Sequence, residues 1–247
     1  MIRIAITGTD TSVGKTVVAA ALVGWLKSNE VDVAAMKPIE CGDDGDDAAF
    51  LHRVSGFAGE MSDVRPIRFA DPIAPLAAAT ARNAVIDVSA LDGAFSRLSQ
   101  DRDAVVVEGA GGVLVPITET LSYAQLFARW NLDVIIVAAD RLGVINHVLL
   151  TVMAVLDQKL TVKGIVLNTI AADADDRDQS RSSNRAVLQR LLPELPIIRF
   201  PFIADSRDLA LLISEATDSG LGALALALGR SDQDVQLQPS TSVAQTS

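Results

Sequence analysis

The feature that most constrains this chain is the junction between residues 2 and 28. An apolar run, Ile2–Thr7, gives way to Gly8-Thr9-Asp10-Thr11-Ser12-Val13-Gly14-Lys15-Thr16, and a helix-forming stretch, Lys15–Ser28, follows at once. A strand, a glycine-bearing loop and a helix in that order form the context of a phosphate-binding loop (P-loop). Gly14 lets the backbone approach phosphate with no side chain between them. Successive N–H groups and the helix N-terminus then make a concave, positive cradle. Lys15 puts an ammonium on the β- and γ-phosphates, and Thr16 a hydroxyl on Mg²⁺. The spacing is unusual: five residues separate Gly8 from Gly14, and Thr9 stands where the first glycine is expected. An ordinary βα turn with a solvated lysine is the competing reading. It leaves a cation opposing the helix dipole unless an anion sits there.

A strand that feeds such a helix calls for further βα units, and the chain supplies them. Short apolar runs recur at Val31–Met36, Ala104–Val107, Asp133–Ala138, Val162–Leu167 and Ile197–Phe200. Most are rich in Val and Ile without clean polar alternation, as strands buried on both faces of a parallel sheet are. Helix-like segments lie between them: Asp46–Val54, Val88–Ser99, Tyr123–Trp130, Asn146–Asp157 and Ser182–Leu192. The expected fold is α/β, a doubly wound, mostly parallel sheet flanked by helices, as in P-loop NTPases. Pro66–Arg82 reads as a connection leading into another helix. Residues 1–230 are expected to form one domain. Residues 231–247 are too polar to bury an apolar face and are expected to be disordered.

Composition narrows the function. The formal net charge of −10 repels nucleic acid backbones, so DNA and RNA are not expected as partners. Cys41 is the single cysteine, which excludes an intrachain disulfide and fits a reducing compartment. The first apolar run is too short for a signal peptide, and no stretch is long enough to span a membrane. A cytoplasmic protein with no membrane partner is therefore expected.

Mg²⁺ wants one or two carboxylates besides a hydroxyl and phosphate. Glu108 follows Val105-Val106-Val107 and precedes Gly109-Ala110-Gly111-Gly112, so it is expected at a strand end facing the P-loop crevice. The second candidate lies in Asp43-Asp44-Gly45-Asp46-Asp47, where spacing does not decide between Asp46 and Asp47. Lys37, before Pro38, is expected at the carboxyl end of a strand next to the first, where a second cation suits an anionic substrate or a phosphoryl group in transfer. Cys41 is expected exposed near the same site, with no base paired to it. His52 and His147 lack metal-ligand spacing.

Taken in order, these motifs resemble the dethiobiotin synthetase family over roughly residues 2–210. The resemblance rests on Thr7–Thr11 with Val13–Thr16, Lys37-Pro38 with Gly42, Val107–Gly112 with Pro116, Leu142-Gly143-Val144-Ile145-Asn146-His147, Gly164–Asn168, and Pro201-Phe202-Ile203. It implies closure of a cyclic urea from 7,8-diaminopelargonate, CO₂ (or bicarbonate) and ATP, with Mg²⁺ as cofactor, in biotin biosynthesis. It implies phosphate contacts from Ser12, Val13, Gly14, Lys15, Thr16 and Val17, with Gly109, Ala110 and Gly111 close to the nucleotide. Asn168, Thr169, Pro201, Phe202, Ile203 and Asp208 would hold the base and ribose. Thr16, Asp47 and Glu108 would ligate the metal, Asp47-Ala48 matching the family's Asp-Ala pair. Lys37, Thr11 and Lys15 would serve catalysis, and Thr11, Lys37, Cys41 and Gly143–Asn146 the substrate. In the family the last of these contacts comes from a neighbouring subunit, which implies a homodimer. Ser12 stands where an acidic residue is common, and Cys41 where a Ser or Thr is.

Two other readings share the architecture. A MinD/ParA-like regulatory ATPase would show a basic surface or a terminal amphipathic helix, and the acidic balance and polar tail oppose both. A cobyrinate-amidase-like synthetase would need a glutaminase domain with its own Cys, for which the chain has no room.

Overall fold

The computed structural model of the chain describes residues 1–42, 45–172 and 180–228. Asp43, Asp44 and the tail at 231–247 lie outside the described residues. The strands are β1 (Ile2–Gly8), β2 (Val33–Met36), β3 (Ile39–Cys41), β4 (Ile67–Phe69), β5 (Ala104–Gly112), β6 (Asp133–Ala139), β7 (Val162–Asn168) and β8 (Ile197–Phe200). The helices are α1 (Lys15–Ser28), α2 (Asp47–Ser55), α3 (Met61–Val64), α4 (Pro75–Ala81), α5 (Val88–Ser99), α6 (Tyr123–Arg129), α7 (Val144–Asp157), α8 (Ser180–Leu191), α9 (Leu209–Asp218) and α10 (Leu221–Leu228).

Six strands form one sheet in the order β2-β5-β1-β6-β7-β8, and every pairing in it is parallel. The expected α/β fold is therefore the observed one. The strands bury both faces by strict alternation. Ala5, Val105, Val107, Val134 and Ile136 face the layer of α5, α6 and α7. Ile4, Ile6, Val106, Ile135 and Val137 face α1 and α9. This explains why the runs carry no polar alternation. Helix α1 is apolar nearly all round because it lies between the sheet and helices α2 and α9. Leu22 and Leu26 on it are fully buried, each contributing about 1.5–3 kcal/mol relative to exposure.

Three expectations change, and one region without a stated expectation gains structure. β5 lies between β1 and β2, so Lys37 follows a strand two positions from the first, not beside it. Glu108 does not end its strand, because β5 runs on to Gly112 and Glu108 pairs with Ile6. The connection at Pro66–Arg82 contains a short strand, β4, which pairs in parallel with β3 as a separate two-stranded sheet. Beyond residue 204, two further helices, α9 and α10, close over α1.

Candidate active site

The loop between β1 and α1 carries the strongest local geometry. Ser12 and Gly14 both take left-handed backbone conformations, at φ 54° and 89°. A Cβ at Gly14 would lie 2.0 Å from Asn168 Nδ2, so the position admits glycine alone. At Gly8 a Cβ would meet the Asp10 carbonyl at 2.6 Å. The extra residue thus folds back over Gly8, and Lys15 Nζ donates to the Asp10 carbonyl at 3.0 Å. No acidic residue lies in the first turn of α1. Burial holds the Lys15 pKa below the ordinary lysine value, and the nearby Lys37 charge adds to this against the opposing pull of Glu108.

Strands β2 and β5 and helix α2 bring the rest of the site to this loop. Lys37, just beyond β2, places Nζ 2.6 Å from Asp47 Oδ2 and 2.9 Å from Glu108 Oε1. Thr16 Oγ1 donates to the same Glu108 oxygen at 2.9 Å. Burial alone would lower the Lys37 pKa, but Glu108 and Asp47 outweigh it and hold Lys37 above the ordinary value. Burial likewise pushes Asp47 up, and the Lys37 ammonium more than reverses this, leaving Asp47 below the ordinary carboxylate value. Glu108 is 1% exposed, and its Oε2 has no hydrogen-bond partner among the described residues. Asp46 points elsewhere: it caps α2 by accepting from the Ala49 amide and pairs with Arg65. The choice that spacing left open is thereby narrowed, since Asp47 and not Asp46 touches the Lys37–Glu108 pair.

These groups open into one cavity of about 680 Å³, within the range of small-ligand sites. Thr11, Ser12, Gly14, Lys15, Thr16, Val17, Lys37, Cys41, Asp47, Glu108, Ala110 and Gly111 line it. Cys41 is half-buried rather than exposed, because β3 turns it inward. Burial pushes its thiol up to about 11, so it is not a thiolate at neutral pH.

Other expected residues fall outside the lining. Val13 is buried, and its carbonyl accepts from Asn168 Nδ2 at 2.9 Å, so Asn168 braces the loop from beneath. Gly109 lies over Phe127 and Tyr123. Thr169 accepts from Arg181, and Asp208 caps α9 by accepting from the Leu211 amide at 3.1 Å. In the β8–α9 loop Pro201 is partly buried, Phe202 exposed and Ile203 buried. Gly143–Asn146 stand at the N-terminus of α7 and do not line the cavity.

Several lining residues were not anticipated: Phe50, Pro72–Pro75, Val115, Ser206 and Arg207. Pro72 and Pro75 had signalled only a connection. Arg207 comes from the β8–α9 loop, lies over the Phe50 ring at 4.2 Å and approaches Asp47 at 3.9 Å. No local pattern marks it.

The fold and this cradle define a P-loop nucleotide-binding α/β protein. In agreement, the AAA domain family matches residues 3–201. Apo McdA from Cyanothece shares the fold, with a TM-score of 0.55 at 12% identity over 92% of this chain and 98% of that one. Sequence relatives are more specific. The ATP-dependent dethiobiotin synthetase BioD of Anaeromyxobacter dehalogenans is 39% identical over 203 residues, 81% of this chain and 90% of the relative. That of Nitrobacter hamburgensis is 42% identical over 80% and 82%, and that of Bacillus subtilis 33% identical over 75% and 81%. The chain belongs to the ATP-dependent dethiobiotin synthetase family.

Proposed function

We propose that this chain converts 7,8-diaminopelargonate, CO₂ and ATP to dethiobiotin, ADP and phosphate, as an ATP-dependent cyclo-ligase of biotin biosynthesis acting in the cytoplasm. The observation that carries the reading is the Lys37 ammonium held between Asp47 and Glu108 beside Thr16, at the mouth of the P-loop.

The steps follow from charge. One substrate amine takes up CO₂ and loses a proton, giving a carbamate. A carbamate oxygen attacks the γ-phosphorus and ADP leaves, which makes a carbamic–phosphoric anhydride. The second amine attacks its carbonyl carbon, the urea ring closes, and phosphate departs with the carbamate oxygen. Negative charge gathers where carbamate and γ-phosphate meet, and Lys37 and Lys15, both lining the cavity, are assigned to stabilise it. Thr11, exposed on the P-loop, is assigned to hydrogen-bond the reacting group. Pro72, Ile73, Ala74 and Val115 form an apolar wall that suits the aliphatic chain of the diamine. Asn168, Thr169, Pro201–Ile203 and Asp208 are assigned to base and ribose, with Asn168 acting also through the Val13 carbonyl.

The all-oxygen set of Thr16, Asp47 and Glu108 fits Mg²⁺, and the Glu108 Oε2, without a partner among the described residues, supports it. Mg²⁺, when bound there, neutralises charge on the phosphates. A homodimer completes the site in this proposal. Leu142, Leu150, Met153 and Leu156 are all exposed on or beside α7, whose N-terminus carries Gly143–Asn146. An apolar face of this kind suits a second copy, and the helix N-terminus suits a carboxylate. The test is phosphate release from Mg-ATP with and without diamine and bicarbonate, while dethiobiotin is followed by mass spectrometry. Release matched to dethiobiotin supports the proposal. ATP turnover indifferent to both substrates would contradict it.

A further inference from the structure

Apart from Cys41, the small sheet β3–β4 does not line the cavity, yet Glu40 on it forms a buried ion pair beside α2. Glu40, at the centre of β3, is 3% exposed. Its Oε1 accepts from the amides of Asp47 at 2.8 Å and Ala48 at 3.3 Å, the first two residues of α2. The third amide, of Ala49, donates to Asp46 Oδ1 at 2.9 Å, and the fourth, of Phe50, donates to the Asp46 carbonyl. The N–H groups of the first three helical residues therefore each have a side-chain partner, and two of them depend on a residue from outside the helix. Arg65, immediately after α3, closes the arrangement. Its Nη1 donates to Glu40 Oε2 and, at 2.7 Å, to Asp46 Oδ1. The Lys37 amide donates to the Val64 carbonyl at 2.8 Å, so Lys37 and Arg65 are tied to one short segment.

We infer that Glu40 and Arg65 are positioning residues for Asp47. This rests on the proposed role of Asp47 as a metal ligand. Glu40 fixes where α2 begins, and hence where the Asp47 Cα stands. Arg65 holds Asp46 out of the cavity as a cap, which leaves Asp47 alone to face Lys37 and Thr16. A Mg²⁺ ligand must be placed closely, since the ion demands near-octahedral geometry at about 2.0–2.1 Å. Outer-shell partners of metal ligands are commonly worth about 10–100-fold in affinity. Glu40 meets that description from 2.8 Å behind the Asp47 backbone.

The experiment is a Mn²⁺ titration followed by electron paramagnetic resonance, on the whole chain with a non-hydrolysable ATP analogue. Nucleotide affinity in excess EDTA is measured alongside it. Glu40→Ala is expected to weaken Mn²⁺ binding about tenfold or more while nucleotide affinity in EDTA stays at the wild-type value. Glu40→Gln, which retains an oxygen for the two amides, should recover most of the metal affinity. Glu40→Asp, one methylene shorter, keeps the charge but not the reach. It should show the same loss, and it decides the matter should Glu40→Ala not fold. Asp47→Asn is the reference. If Asp47→Asn weakens Mn²⁺ binding and the folded Glu40 variants do not, the positioning role is overturned alone. A parallel fall of metal-free nucleotide affinity would overturn it too, since that marks general damage to the fold. Wild-type Mn²⁺ binding by Asp47→Asn would instead remove the ligand role on which the inference stands.

Discussion

Replacing Lys37 by alanine separates the electrostatic account from a purely structural one. Its ammonium lies 2.9 Å from Glu108 Oε1 and 2.6 Å from Asp47 Oδ2. At an effective dielectric of about 20, the Glu108 contact alone represents ~6 kcal/mol of Coulomb attraction before desolvation is subtracted. The Asp47 carboxylate is 33% exposed, so its share is screened and adds less. Removing one partner of a buried pair typically costs about 3–5 kcal/mol, because the other charge stays buried and unpaired. For a chain of this size that lowers Tm by on the order of 10 °C. Mg²⁺ should restore much of the loss, since a divalent cation supplies the charge that the alanine lacks. Turnover should fall by about 10²–10³-fold, the usual effect of removing one stabiliser of transition-state charge. Nucleotide affinity should change little, as Lys15 and the loop amides are untouched. Thermal melts with and without Mg²⁺ measure the first effect, and phosphate release with calorimetric ADP binding the second. Near-normal turnover would remove Lys37 from the mechanism. An unchanged melt in the absence of divalent ions would refute the charge argument.

Three other outcomes are expected. Gly14→Ala should abolish detectable ADP binding by calorimetry, because its Cβ would overlap Asn168 Nδ2 at 2.0 Å and φ is 89°; binding near the wild-type value would contradict the loop geometry. Cys41, the only cysteine, has its pKa raised from 9.0 to about 11, so its thiolate fraction at pH 7–8 is about 100-fold below that of a free thiol. Its alkylation by iodoacetamide should be correspondingly slow and rise with pH until about 11, and Mg-ATP with diamine should protect it further. Met153→Asp, at a position 67% exposed on α7, should give a monomer by sedimentation, with diamine-dependent turnover reduced at least tenfold and nucleotide binding retained. An unaltered dimer would move the interface elsewhere.

Much of the fold was legible because it is written locally. Most main-sheet strands are short Val/Ile-rich runs, and both faces of that sheet are covered, so the absence of alternation was itself the signal. Strand order was not legible. β5 inserts between β1 and β2 through pairings of residues some 70 to 100 apart, such as Ala34 with Val105 and Ile4 with Val106. The β3–β4 pair escaped notice because three-residue strands carry too little pattern, and with it went Glu40 and Arg65. In the candidate site, Lys15, Thr16, Lys37 and Glu108 stood out because each adjoins a strand end or a glycine run. Asp47 and Asp46 are neighbours in one acidic run. Spacing does not tell them apart; the resemblance does so through Asp47-Ala48, and the structure through the direction of the α2 cap, which depends on Arg65, 19 residues beyond Asp46. Arg207 reaches the cavity from the far edge of the sheet, where sequence proximity offers nothing.

The most direct test of the central claim follows an oxygen atom. With ¹⁸O-labelled bicarbonate, and before label exchanges with water, carbamate attack on the γ-phosphorus must carry one labelled oxygen into the phosphate released on ring closure. Mass spectrometry of that phosphate should show a single ¹⁸O for each dethiobiotin formed. Unlabelled phosphate alongside dethiobiotin would mean that the carbamate never joins phosphorus, and would contradict the mechanism drawn from Lys15, Lys37 and Glu108.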